Sequence, residues 1–244
     1  MKKIVIEYLY PEVCNLYGDT FNVRYLEESV ALTNEVEVVE TALTDEPRFV
    51  NEDVDFIYMG SMSERTQEIV IKKLKPYKDR IIELIDKGCP MLFTGNAIEI
   101  FGDKIEGKNR AVSGLGITGL TAKRDMMKRY NTLYLGKMEG LDSLIMGHKA
   151  VFSFSFGDNK KNYAFHSIRG CGINKESEYE GYRKNNFLAT YLIGPLFILN
   201  PDLLRKYMKD MGVEEPRLKF EKEMDETYKI RLREFESEKT NFLQ

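Results

Sequence analysis

Apolar and polar residues alternate along the chain in two distinct rhythms. Up to about residue 102, short apolar runs are separated by stretches in which apolar residues recur every three or four positions. "KIVIEYL" (3–9), "VEVVETAL" (36–43), "VDFIYMGS" (54–61) and "PMLFTG" (90–95) are the runs. Their length and β-branched content predict strands, and the near-continuous apolarity of the third predicts burial on both faces. Between the first two, Asp19 or Thr20 is placed to cap a helix carrying Val23, Leu26, Val30 and Leu32. Between the third and fourth, Ser63 opens a helical region that Pro76 should kink or split and Gly88 ends. Strand and helix in strict alternation predict a mostly parallel, doubly wound α/β sheet with helices on both faces.

Beyond residue 102 the period shortens. "AVSGLGITGL", "YNTLYLG", "SLIMGHKAVFSFSFG" and "NYAFHSI" are β-like segments joined by glycine-rich turns, and they predict antiparallel strands extending the first half. "NNFLATYLIGPLF" reads as a further buried strand and "NPDLLRKYMKDMG" as a capped helix. The last segment reads as a charged helix with Leu218, Phe220, Met224, Tyr228 and Leu232 on one face. No repeat or linker interrupts the pattern, so residues 1–244 are expected to form a single domain.

Composition narrows the function classes. A net charge of −3 over 244 residues gives no general attraction to nucleic acid or anionic membrane. No apolar run approaches the roughly 18 residues of a membrane span. Three cysteines (Cys14, Cys89, Cys171) at wide spacing build no disulfide framework, so a reducing cytoplasm is the expected setting. The acidic residues show no metal-ligand spacing, and no cofactor is called for.

The stretch "PMLFTGNAIEIFG" (90–102) carries the chemical question. A buried strand, a sharp turn and the start of a helix form the place where an α/β enzyme often stations a nucleophile, yet the turn holds Thr94, Gly95, Asn96 and Ala97. Several stretches together resemble the class I glutamine amidotransferases of the cobyric-acid-synthase type. Among these they resemble the glutaminase subunits of lipid II isoglutaminyl synthases, which modify peptidoglycan. The stretches are "LYPEVCNLYGDTFNV" (9–23), "DFIYMGSMSERTQ" (55–67), "GLGITGL" (114–120), "GCGIN", "EGYRKNN" and "TYLIGPLFILNPDLL". The resemblance implies a flavodoxin-like amidotransferase fold and glutamine hydrolysis by a Cys–His pair with a backbone oxyanion site. It also implies a Mur-ligase-like, ATP-dependent amide ligase as partner, with D-glutamate of the lipid II stem peptide as acceptor.

The same alignment puts Gly95 at the Cys position and Ile193 at the His position. Loss of one member of such a pair costs on the order of a million-fold in turnover, so the resemblance implies a disarmed elbow. Of the family's three consecutive glycines only Gly60 remains, followed by Ser61 and Met62. Arg129 is the candidate for the family's carboxylate-binding arginine, with Arg124 as its alternative. Asn96 and Glu99, with Arg129, would bind an amino acid without cutting it. Cys171 with His166 is the only Cys–His arrangement local in sequence, Cys14 lies in the first loop, and His148 reads as a surface or turn histidine. Three readings follow: a non-hydrolysing partner or regulator of the ligase, a small-molecule binding module, and an active enzyme whose chemistry has moved to Cys171 or Cys14. Under the first, "FILNPDLLRKYM" and the final helix are candidate docking elements.

Overall fold

The computed structural model describes residues 2–243. Its central sheet has six strands in the order β13-β14-β4-β3-β1-β2. β1 (Lys3–Leu9), β2 (Glu35–Thr41), β3 (Phe56–Met59) and β4 (Met91–Thr94) run parallel with β14 (Phe187–Thr190), while β13 (Tyr182–Lys184) pairs antiparallel at one edge. β3, β4 and β14 are buried at every position. That is why they read as uninterrupted apolar runs: neither face meets water.

Two layers of core cover the sheet. On one side α2 (Glu64–Leu74) and α3 (Lys78–Asp86) pack with Phe93, Phe101 and Phe187. They are separated by a tight turn at Lys75–Tyr77, so Pro76 splits the helix, because its ring and missing N–H end the ladder there. On the other side α1 (Thr20–Val30), α4 (Leu196–Leu199) and α5 (Pro201–Asp210) pack with Phe56 and Tyr58. α5 buries Leu203, Leu204, Tyr207 and Met208 in the chain's own core, so its apolar face is not left open for docking. Among the described residues no helix is long and apolar enough to cross a membrane.

The middle of the chain departs from expectation. Its strands do not extend the central sheet but form two further four-stranded sheets. One contains β5 (Lys104–Glu106), β6 (Ala111–Ser113), β7 (Thr121–Arg124) and β10 (Ser153–Phe156); the other, β8 (Tyr130–Lys137), β9 (Leu144–Val151), β11 (Phe165–Arg169) and β12 (Tyr179–Glu180). β9 leans on the segment after β14 through paired backbone hydrogen bonds between His148 and Ile193.

α6 (Glu221–Glu236) begins later than its apolar pattern implied. Phe220 sits just before it with φ +53° and is exposed, so it cannot share the buried stripe. Tyr228 and Leu232 pack instead with Phe235, Phe242 and Met146 over β8–β9. Lys149 and Glu180 form an ion pair at 2.5 Å with both side chains essentially inaccessible. The ammonium also donates to the carbonyls of Cys171 and Gly172, and the carboxylate accepts from Thr190 Oγ1 and the Tyr191 N–H. Every donor of the buried cation is therefore used.

Candidate functional site

The elbow forms where β4 ends. Gly95 has φ +64° and begins a tight helical turn, Gly95–Phe101, rather than a full α-helix. Glycine adopts such backbone at little cost, and other residues are strained there. Space is a second constraint. A Cβ on Gly95 would lie 2.6 Å from Ser61 Cβ and 3.2 Å from Ile193 Cγ2. The first is inside any real carbon–carbon contact, so a side chain at 95 requires Ser61 to move. The turn is kept, but the volume a nucleophile would need is filled from the opposite loop.

Ser61 is held there by a buried acid. Its hydroxyl donates to Asp19 Oδ2 at 2.5 Å and its N–H to the same oxygen at 3.2 Å, while Thr94 Oγ1 donates to Asp19 Oδ1 at 3.0 Å. Tyr58 joins the same network through its hydroxyl. Asp19 therefore does not cap α1 with its side chain, as the sequence led us to expect; its carboxylate turns inward and ties the first loop to β3 and β4. Gly60 packs directly under this loop, where a Cβ would meet Asp19 and the Cys14 carbonyl.

Asn96 occupies the backbone beside the elbow. Its Oδ1 accepts from the Met62 N–H at 3.0 Å and its Nδ2 donates to the Met62 carbonyl at 2.7 Å. The backbone donor that the loop would offer an oxyanion is thus already satisfied by a side chain of the same chain. Met62 itself is buried, its sulfur 3.8 Å from Cys14 Sγ. What remains is a cleft of about 130 Å³ lined by Tyr17, Ser61, Gly95, Asn96, Glu99 and Phe152 among others.

The two candidate arginines have separate places. Arg129 donates to Tyr17 Oη at 2.8 Å and lies over the Phe152 ring, so it reaches two residues of the cleft wall from its exposed rim. Arg124 is nine-tenths buried and donates to Glu99 Oε2 at 3.1 Å and to Gln67. Burial pushes the Glu99 carboxyl above its ordinary range, and the Arg124 guanidinium opposes that shift.

His148 is a β9 residue whose backbone pairs with that of Ile193, not a surface or turn histidine. Burial lowers its pKa from the usual 6.5, against a weaker pull from Asp19. A histidine with a lowered folded pKa binds fewer protons folded than unfolded. Stability is then fully present above the unfolded value and is lost as pH falls from there toward the folded value. His148→Gln is expected to flatten the loss of stability below about pH 6.5, measured as urea midpoint against pH.

None of the three cysteines lines the cleft at Gly95. Cys14 is buried and its thiol is pushed well above the usual range by desolvation; the same cause takes Cys89 to about 12. Cys171 is buried next to Tyr130, whereas His166 stands exposed near Tyr163, Tyr179 and Glu178. The structure does not bring that pair together.

No family model matches the chain. A curated relative, the subunit GatD of lipid II isoglutaminyl synthase (glutamine-hydrolyzing) from Staphylococcus aureus (strain N315), is 27% identical over 246 residues, 99% of this chain and 98% of its own length. A crystal structure of a glutamine amidotransferase superposes with TM-score 0.54 over 85% of this chain and 99% of its own, at 14% identity. The chain has the glutamine amidotransferase fold. Two further structures with this fold cover nearly all of their own length. PurLQS from Thermotoga maritima has TM-score 0.52 at 12% identity, over 95% of this chain and 100% of its own. The glutaminase domain of Trypanosoma brucei CTPS with bound acivicin has TM-score 0.52 at 12% identity, over 88% and 100%. Gly95 and Ile193 sit side by side in this structure. The roles of Asp19 and Ser61 were not readable, because the contacts that define them join segments 34 to 75 residues apart.

Proposed function

We propose that this chain is a glutamine-amidotransferase-like protein that does not hydrolyse glutamine. In this reading, residues 1–244 act as one unit in the cytoplasm, as the non-hydrolysing partner or regulator of a Mur-ligase-like amide ligase in peptidoglycan modification. The observation that carries the reading is the crowding at Gly95: neither a nucleophile nor the room for one is present. The hydrogen bonds from Asn96 to the Met62 backbone support it, since an oxyanion would have to displace them. The full-length similarity to GatD supports the ligase as partner.

The test is twofold. Purified protein with glutamine should release no ammonia above the buffer rate, and co-expression with a Mur-type amide ligase from the same cell should give a stable complex. Ammonia release abolished by Cys171→Ala or Cys14→Ala would sink the first half. A ligase that elutes separately at micromolar concentration would sink the second.

A second reading, an amino-acid binding module, draws support from Arg129 on the rim of the cleft and from Glu99 in its wall. It expects glutamine or glutamate to raise the melting temperature saturably, with Arg129→Ala removing the effect.

A further inference from the structure

Behind Arg124 lies a second cavity, of about 230 Å³, between the β5–β6 hairpin and α2. Its wall includes Lys108, Asn109, Arg110, Arg124 and Glu68. Glu99 faces the cleft at the elbow and Arg124 faces this cavity, so their ion pair stands between the two.

Three features of the cavity point to an anionic ligand. Cations outnumber carboxylates: Lys108, Arg110 and Arg124 stand against Glu68 and the Arg124-bound Glu99. The Arg124 side chain is 91% buried, since its exposure is 9%, and its Nε is an inaccessible donor with no partner. A buried donor without a partner is rare. Lys108 and Asn109 have no hydrogen-bond or ion-pair partner among the described residues, and Arg110 spends one nitrogen on both Glu68 oxygens at 2.7 Å.

We infer that this cavity binds a small oxyanion, a phosphoryl or carboxylate group, held by Arg124, Arg110 and Lys108. Glu68 occupies Arg110 in the empty cavity and is the group an incoming anion displaces. Arginine forks suit both ligand types, which therefore share the same chemistry here.

The experiment is a calorimetric titration of the whole chain with inorganic phosphate and, separately, with L-glutamate, each at ionic strength matched by sodium chloride. At least one should bind saturably, and which one does identifies the source of the oxyanion. Glu68→Gln, which frees Arg110 and removes the competing carboxylate, should tighten binding about tenfold. Lys108→Ala with Arg110→Ala, both on an exposed turn, should weaken it at least tenfold. A heat signal no different from the chloride control for both anions overturns the proposal, as does an affinity that neither variant changes. Arg124 is left untouched because Glu99 depends on it.

Discussion

Gly95→Cys is expected to lower stability by about 2–5 kcal/mol, and Ser61→Gly to cost less in that chain than it does in the native one. Two costs combine at position 95. A non-glycine residue at φ +64° loses roughly 1–2 kcal/mol, and forcing a side chain into filled space costs typically 1–3 kcal/mol more. The second cost depends on Ser61, whose Cβ stands 2.6 Å from the new one. Ser61→Gly alone is also destabilising, because it removes the 2.5 Å hydrogen bond to Asp19. The two changes together should cost less than their sum by at least about 1 kcal/mol. Urea unfolding of the four proteins in the cycle measures this directly. Strict additivity would mean that the loop at 61 yields freely and that Gly95 is not sterically closed. For the same reason, Gly95→Cys combined with Ile193→His, with position 61 left as it is, is expected to give a protein that still releases no ammonia.

Lys149→Met should destabilise the fold by roughly 3–5 kcal/mol, the usual consequence of stranding one charge of a buried pair. At about 2–4 °C per kcal/mol for a chain of this size, the melting temperature should fall by roughly 10 °C. Glu180 then remains buried with only Thr190 Oγ1 and the Tyr191 N–H as donors. Adding Glu180→Gln should recover part of the loss, because the amide oxygen still accepts both of those bonds while the charge is gone. If the double variant is no more stable than Lys149→Met, the electrostatic account fails. The lost hydrogen bonds to the Cys171 and Gly172 carbonyls would then account for the effect.

These two sites differ in how much of them could be read in advance. β1 and β4 were legible almost to the residue, because a sheet covered on both faces leaves an apolar signature that needs no partner to interpret. Pro76 was legible because its effect on a helix is local. Asp19 was misread for the opposite reason: its position is that of a cap, but Ser61, Thr94 and Tyr58 offer its carboxylate better donors from other segments. Phe220 falls in step with the apolar face of the last helix, yet the chain turns left-handed there and leaves it outside. The middle strands were recognisable as strands, while their assortment into two separate sheets depends on pairings such as β5 with β7 that turn chemistry does not encode. At the elbow the sequence showed glycine at 95 and isoleucine at 193; the close approach of Ser61 to Gly95 was not visible in it.

The contact between positions 61 and 95 also couples the two positions. A side chain at 95 and the present side chain at 61 crowd one another, so a substitution at either position is conditioned by the residue at the other. With serine at 61, a single substitution at 95 meets a steric barrier, and the two positions change more readily as a pair.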